Sequence, residues 1–284
     1  AHLAFWNAGV RIIASPGCRL ERGILIRGRA DMQGSLWIAR VGIEAGAGSR
    51  LGIAQVWESG AAVDSMVLAA TRVRAEADAI VRGVSLQALG PLGRAVWTES
   101  LSVAERAEAD WISLPLGGGF ALNRIAAVAE GPGSNLRLRG LCTSSGDRHV
   151  DQKTLQDHRA PDTTSHLLFK SIVRDRARSV FRGVIRARPG ALRIDAYQKN
   201  NNLVLDDGAR ADSLPGLLID ADDLKCTHGS TIGSLDTEAL FYLRSRGLTE
   251  AAARALLIEG FTEDILGPIP WPTLREQARA RIVR

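Results

Sequence analysis

The pattern that decides the fold class is clearest in residues 188–220, RPGALRIDAYQKNNNLVLDDGARADSLPGLLID. Two turn-forming groups, RPG at 188–190 and DDG at 206–208, each precede a short segment in which apolar and polar residues alternate. Alternation with a period of two places successive side chains on opposite faces of a strand and does not fit a helix. The stretch therefore predicts a turn and a strand, repeated.

The same unit recurs along residues 10–220, for example in SPGCRL (15–20), GAGSRL (46–51) and GPGSNLRL (131–138). Successive copies start about 15 or about 30 residues apart, with no helical pattern between most of them. Regular turn–strand repetition is typical of a β-solenoid, in which one coil buries its inner face only when its neighbours stack on it. A β-sandwich would also give many short strands, but its hairpins favour Asn-Gly and Asp-Gly turns, and here only Asp207-Gly208 occurs. We expect a mainly β solenoid.

Composition narrows the function classes. The chain has 284 residues, a net charge of +5 and three well-separated cysteines, Cys18, Cys142 and Cys226, without a CxxC pair. This pattern argues against a disulfide framework or a structural zinc module and is compatible with the reducing cytoplasm. The sequence has no apolar run long enough to span a bilayer and no signal-peptide pattern, and its arginines are scattered. We therefore expect a cytoplasmic protein that binds neither membrane nor nucleic acid.

The pattern changes near residue 233, so two units are predicted: a β-solenoid core at 1–233 and a small C-terminal α-helical subdomain at 234–284. Asp236 and Thr249 have the residue type and position of helix N-caps. Thr273 and Glu276 have the spacing of a capping box, which predicts a third, short helix that starts after Thr273.

The stretch DDLKCTHGSTIG (222–233) is the first candidate site. On a strand, Cys226 and His228 share a face, and a thiolate beside an imidazole suits iron or zinc. Two ligands do not hold a metal, and iron–sulfur clusters usually take four cysteines, so the remaining ligands would come from elsewhere in the fold or from another chain. The alternative is that Cys226 is a small buried apolar residue and His228 a hydrogen-bonded residue at a strand end.

Two further groups have both a chemical and a structural interpretation. Asp220 with Asp222 or Asp223 would fit the carboxylates of a polysaccharide lyase or hydrolase built on a β-helix, but turn-capping aspartates are the better explanation. A second polar stretch contains the three histidines His149, His158 and His166, whose spacing fits no common metal motif. We expect these histidines on the surface of a loop that crosses the solenoid.

Three long segments resemble a known family: HRAPDTTSHLLFKSIVRDRARSVFRGVI (158–185), ALRIDAYQKNNNLVLDDGARADSLPGLLIDADDLKCTHGSTIGSLD (191–236) and EALFYLRSRGLTEAAARALLIEGF (238–261). In this order they are similar to the core of the SufB/SufD family of iron–sulfur cluster assembly proteins. The segment AFWNAGVRIIASPGCRLE (4–21) is similar to the segment with which that family's β-helix begins. Within the family, the DDLKCTHGSTIG form looks like SufD.

The resemblance implies a right-handed parallel β-helix with a C-terminal helical subdomain, and a scaffold subunit without catalytic turnover of its own. It implies that a transient iron–sulfur cluster or iron is shared with a partner chain and that this chain alone binds no cofactor tightly. His228 would face the partner's cysteine, and Cys226 is the second candidate ligand for the shared iron or cluster. SufB-type members carry Glu-His-Glu at 226–228 and a cysteine in the preceding coil, where this chain reads QKNNN (198–202).

The resemblance also implies two partners, a SufB-like paralogue at the final coils and a SufC-like ABC-type ATPase at the C-terminal helices; in isolation, a homodimer is an alternative. The predicted ATPase-binding residues lie on the first of these helices and are Asp236, Glu238, Phe241, Tyr242, Arg244 and Arg246.

Overall fold

Sixteen strands and three helices make up the part of the chain that the computed structural model describes, residues 5–282. The odd-numbered strands are β1 (Ala8–Ala14), β3 (Ser35–Ala45), β5 (Ser65–Ala75), β7 (Arg94–Val103), β9 (Phe120–Ala129), β11 (His149–His158), β13 (Arg178–Ala187) and β15 (Arg210–Ile219). The even-numbered strands are β2 (Ile24–Ala30), β4 (Arg50–Ser59), β6 (Ile80–Ala88), β8 (Glu108–Pro115), β10 (Asn135–Ser144), β12 (Thr164–Val173), β14 (Asp195–Val204) and β16 (Lys225–Gly233). The helices are α1 (Thr237–Ser245), α2 (Glu250–Leu266) and α3 (Pro272–Ile282).

The strands form two eight-stranded parallel sheets, sheet A from the odd-numbered strands and sheet B from the even-numbered strands. Each strand pairs with the strand two places later in the chain, so one coil contains one strand of each sheet. Paired residues in neighbouring coils lie 26 residues apart between Arg94 and Phe120 and 32 apart between Arg178 and Arg210. This register explains the repeat of about 30 residues in the sequence, and the predicted parallel β-solenoid with a small helical C-terminus is confirmed.

The turns explain why small residues recur before the strands. Gly48, Gly133 and Gly146 have φ values of +66°, +69° and +64°, and Asp78 and Asp162 have φ values of +61° and +60°. Positive φ is a conformation that glycine adopts freely and aspartate tolerates. The repeated turn group in the sequence therefore marks a backbone geometry that each coil needs in order to change direction.

Large interior rings pack over glycines of the adjacent coil. Trp111 and Phe169 are fully buried, and a Cβ added to Gly83 or Gly140 would lie 2.0 Å from the ring of Trp111 or 2.3 Å from that of Phe169. The register pairs Gly83 with Trp111 and Gly140 with Phe169. A glycine on one rung thus makes room for an aromatic side chain on the next, which keeps the interior closely packed.

Two of the three helix starts agree with the prediction. The Asp236 carboxylate accepts hydrogen bonds from the backbone N–H groups of Glu238 and Ala239, and the Thr249 hydroxyl accepts one from Ala252. The predicted third helix is present, but α3 begins at Pro272, so Thr273 lies inside the helix and is not its cap. Proline suits the first helical position, where its missing N–H costs nothing.

The helices lie along the outer face of sheet B. Ile258, Ile265 and Leu266 of α2 share an apolar cluster with Leu86 and Leu114 of the sheet. Trp271, just before α3, reaches the first coils, since a Cβ at Gly23 would lie 2.5 Å from its ring. The helices therefore do not close the open end of the solenoid. Strand changes to helix between residues 233 and 237, and the division into units at 1–233 and 234–284 remains a prediction. None of the described helices is long and apolar enough to cross a membrane.

The prediction that His149, His158 and His166 lie on a loop is wrong, and their predicted surface position holds for His166 and partly for His149 but not for His158. All three are on strands, His149 and His158 at the two ends of β11 and His166 on β12, and His158 is fully buried. The two ring nitrogens of His158 lie 2.6 Å from Thr163 Oγ1 and 2.8 Å from Ser165 Oγ. Burial lowers the pKa of His158 to about 4, although the charge of Asp157 acts in the opposite direction. His158 is therefore a neutral, hydrogen-bonded interior residue.

The buried imidazole should make stability depend on pH. In the unfolded chain His158 takes up a proton near its ordinary pKa of 6.5, whereas in the folded chain it does so only near about 4. Between these values the unfolded state binds more protons, so the free energy of unfolding falls as the pH falls, by about 3 kcal/mol in total. We expect His158→Gln to lack this part of the pH dependence in urea unfolding at pH 7, 5.5 and 4.5.

The matched control is His166→Gln, which removes an exposed imidazole from the neighbouring strand and should keep the wild-type pH dependence. If the free energy of unfolding of His158→Gln falls with pH as steeply as that of the wild type, His158 is not the neutral buried group described above.

Candidate functional site

The terminal coil, β15 and β16, has neighbours on one side only. β15 pairs with β13 and β16 pairs with β14, and no described strand pairs with their outer edges. A strand edge of this kind offers backbone N–H and C=O groups to a strand of another chain. The last rung of the solenoid is therefore a surface at which a second chain can continue the sheets.

The register fixes where Cys226 and His228 point. Cys226 pairs with Ala196 and His228 with Gln198, and both of these partners are fully buried inside the solenoid, at 1% and 0% exposure. Side chains of paired residues in parallel strands lie on the same face of the sheet, so Cys226 and His228 are both on the inward face of the terminal coil. This agrees with the shared face predicted from the sequence. Because no coil follows, His228 is exposed and Cys226 is only half-buried.

Cys226 has a mainly apolar environment. It packs against a small cluster that includes Ile194 and Ala196. Burial raises the pKa of its thiol, and the negative charge of Asp195 raises it further. Cys226 is thus protonated at neutral pH and would become a metal ligand only by losing that proton, which a bound cation favours.

A buried amide lies in the rung beneath His228. Gln198 is fully buried, and neither its Oε1 nor its Nε2 has a hydrogen-bond partner within the described residues. Its side chain occupies the space over Gly183, where a Cβ would lie 2.4 Å from Oε1. Buried amides normally find partners. The rung beneath His228 therefore presents a polar amide on the inward face of the solenoid.

The ligand count within one chain is too small for a metal centre. Within residues 5–282 no group of three or more His, Cys, Asp or Glu side chains is placed to hold a metal ion. The other two cysteines do not reach the terminal coil, because Cys142 is buried in β10 and Cys18 lies in the first turn. Cys226 and His228 can supply two ligands of a site that needs more.

The three aspartates considered as catalytic acids lie in the turn between β15 and β16 and are exposed. The backbone N–H of Asp220 donates to Ala187 at 2.9 Å. Asp223 has a φ of +51°, and its carbonyl accepts from the N–H of Arg193 at 2.6 Å. These contacts are those of turn-forming residues. Asp222 likewise lies in the turn, and the arrangement gives the polysaccharide-cleaving alternative no support.

The residues predicted to bind an ATPase lie in or next to α1, which buries none of its side chains. Phe241 and Tyr242 are 73% and 55% exposed, and the Arg246 guanidinium lies 5.1 Å from the centre of the Tyr242 ring. Arg244 pairs with Glu250 of α2 at 3.7 Å. Asp236 is occupied as the N-cap, and Glu238 lies in the first turn. Two large aromatic side chains thus face solvent on one short helix.

Sequence reasoning missed the apolar character of the open end. Leu217, Ile219 and Ile232 are 37%, 40% and 54% exposed, yet they occupy inward-facing positions of the terminal coil. In the sequence they resemble ordinary core residues, because the alternating pattern does not reveal which coil is the last. Exposed apolar side chains next to an unpaired strand edge are typical of a protein interface.

The family model and the relatives that match this chain all point to one protein family. A family model described as "SUF system FeS cluster assembly, SufBD core domain" matches residues 27–261. The Escherichia coli iron–sulfur cluster assembly protein SufD is 33% identical over 210 residues, which cover 74% of this chain and 50% of that protein. An iron–sulfur cluster assembly SufBD family protein of Mycobacterium leprae is 37% identical over 179 residues, covering 60% of this chain and 46% of the relative. The chain spans about half the length of the curated relatives it matches.

The environment of Cys226 leads to a prediction about its reactivity. Asp195→Asn removes a negative charge that raises the thiol pKa, so the thiolate fraction should increase. We expect alkylation of Cys226 by iodoacetamide at pH 8 to be roughly two- to threefold faster, measured by mass spectrometry of the Cys226 peptide.

Asp222→Asn is the control, since Asp222 is not among the groups that shift the Cys226 pKa. The Cys18 peptide of the same sample provides the reference rate. An equal or slower rate in Asp195→Asn would show that the charge of Asp195 does not act on this thiol.

Proposed function

The chain belongs to the family of SUF-system iron–sulfur cluster assembly proteins that contain the SufBD core domain, and on this basis we propose that it is a SufD-like, non-catalytic scaffold subunit. In this proposal the terminal coil pairs with a SufB-like paralogue, the C-terminal helices bind a SufC-like ABC-type ATPase, and nascent cluster forms at the first of these interfaces. The iron–sulfur cluster is the cargo of the complex and not a resident cofactor of this chain.

The observation that carries the proposal is the position of His228 and Cys226 on the inward face of an uncovered last coil. A neutral imidazole nitrogen and a thiolate are suitable ligands for iron. The remaining ligands would come from the paralogue, whose strands would pair with the free edges of β15 and β16. Leu217, Ile219 and Ile232 would lose their exposure in this interface, which contributes apolar burial.

Dividing the ligands between two chains has a chemical consequence. Neither chain alone would hold the cluster, so cluster binding depends on association of the two solenoids. Movement that separates the terminal coils would remove ligands and release the cluster to an acceptor. The raised pKa of Cys226 acts in the same direction, since protonation of the thiol competes with metal binding.

The helices provide a route by which an ATPase could produce such movement. Phe241 and Tyr242 are exposed anchors of the type found at protein interfaces. α1 contacts α2, and α2 is fixed to sheet B by Lys170, whose ammonium group donates to Asp264 at 2.6 Å and to the carbonyl of Phe261 at 2.7 Å. Force applied at α1 would therefore reach the solenoid through α2.

The role of His228 is tested by co-expressing the chain anaerobically with SufB-like and SufC-like partners. We expect the complex to form with both wild type and His228→Ala, because the side chain is exposed and supports no core packing. The variant complex should contain several-fold less iron and acid-labile sulfide per complex, because one ligand is missing.

The control is His149→Ala, which removes an imidazole on the outer face of sheet A and should leave iron and sulfide unchanged. Equal cluster content in wild type and His228→Ala would refute the ligand role while leaving the scaffold role intact. If this chain forms only homodimers and no mixed complex, the proposed pairing is wrong.

The ATPase interface is tested separately with Phe241→Ala combined with Tyr242→Ala. α1 has no buried residue, so the fold should be unchanged. We expect at least tenfold weaker binding of the SufC-like ATPase in titration calorimetry, since exposed aromatic anchors account for much of the affinity of such interfaces. Binding of the SufB-like paralogue should not change.

Met32→Ala serves as the control, since Met32 is 75% exposed but lies in the turn between the first two coils, away from α1. If the α1 double variant binds the ATPase as tightly as the wild type, the ATPase does not bind through Phe241 and Tyr242.

A further inference from the structure

A concave surface on the outer face of sheet B has a composition that the proposed function does not explain. This surface, the basic groove, has a volume of about 400 Å³, and its polar lining is formed mainly by Arg137, Arg139, His166, Tyr197 and Lys199. Asp264 of α2 forms its other wall. A concavity of this volume is within the range of small-molecule sites.

The solenoid register assembles the groove from three rungs. Arg137, His166 and Tyr197 occupy paired positions on β10, β12 and β14, and Arg139 and Lys199 occupy the neighbouring column. Neighbouring strands lie about 4.8 Å apart, so side chains from successive rungs converge on one small area. The groove residues point outward, whereas Cys226 and His228 point inward, so the two sites lie on opposite faces of sheet B.

Two carboxylates, Asp264 in the lining of the groove and Asp110 beside its arginines, already form ion pairs. Asp110 pairs with both Arg137, at 3.5 Å, and Arg139. Asp264 pairs with Lys170 at 2.6 Å. Four cationic side chains, Arg137, Arg139, Lys170 and Lys199, thus share two carboxylates, so these cations outnumber the carboxylates that pair with them by two.

Two groups of the groove have no partner. Within residues 5–282, neither the ammonium group of Lys199 nor the ring of His166 forms a hydrogen bond or an ion pair, although the ring of His166 lies 6.2 Å from that of Tyr197. Lys199 is only half-exposed and lies in the same column as Arg139, two rungs away, with Leu168 between them. An ammonium group without an ion-pair partner on the wall of a concave surface is available to bind an anion.

We propose that the basic groove binds a small molecule that carries a phosphate or carboxylate group. Its oxyanion would accept hydrogen bonds from Lys199 and from the guanidinium groups of Arg137 and Arg139, which suit planar oxyanions. The rings of Tyr197 and His166 would contact the rest of the ligand. This site is independent of cluster assembly, and it would exist even if the terminal coil had another role.

Titration calorimetry of the full 284-residue chain at low ionic strength tests the proposal, with inorganic phosphate and citrate as separate probes. We expect at least one of them to bind with millimolar or tighter affinity, and Lys199→Ala to weaken that binding about tenfold. Lys153→Ala is the matched control, since it removes one half-exposed lysine from the outer face of sheet A and should leave the affinity unchanged.

The two probes separate the sources of the anion. Binding of phosphate alone assigns a phosphate-bearing ligand, binding of citrate alone assigns a carboxylate, and binding of both supports the shared oxyanion chemistry. If neither probe binds, or if Lys153→Ala weakens binding as much as Lys199→Ala, the proposal is wrong. Circular dichroism and thermal unfolding of both variants exclude a loss of fold as the cause.

Discussion

Hydrogen bonding between successive coils is the constraint on which the rest of this structure depends. Each strand pairs in parallel with the strand one coil earlier and one coil later, so every interior position is covered only by its two neighbours. At the two ends of the solenoid one neighbour is missing, so each end coil leaves one strand edge unpaired. The terminal coil therefore carries free backbone groups, exposed Leu217 and Ile232, and the two candidate ligands Cys226 and His228.

The interior shows how this constraint selects residues. Once the register is fixed, the side chain at one position must fit the side chain at the paired position of the next coil. Gly83 beneath Trp111 and Gly140 beneath Phe169 are consequences of this requirement. His158 is a polar example, since its imidazole is accepted inside the solenoid because Thr163 and Ser165 satisfy both ring nitrogens.

The register between coils positions both the Cys226–His228 pair and the basic groove, the first on the inward face and the second on the outward face of sheet B. On the inward face of the last coil, the missing next rung leaves a ligand pair that only another chain can complete. On the outward face of sheet B, three consecutive rungs bring Arg137, His166 and Tyr197 together although they are about 30 residues apart in sequence. Helix α2 contributes to both sites. It forms a wall of the basic groove, and it connects the exposed α1 to sheet B, which also contains β16 of the terminal coil.

The sequence by itself determined the features that depend on neighbours in the chain: the period-two strands, the turn groups with positive φ, the caps at Asp236 and Thr249, and the shared face of Cys226 and His228. Only the tertiary structure decided the burial of His158, the exposure of the last coil, the position of the helices beside sheet B, and the basic groove. The physical reason is the separation along the chain of the residues that interact. Alternation and capping arise from contacts within a few residues, whereas the contact of Lys170 with Asp264 joins residues 94 positions apart. Such contacts depend on the number of coils and on their register, and no local pattern in the sequence specifies either one.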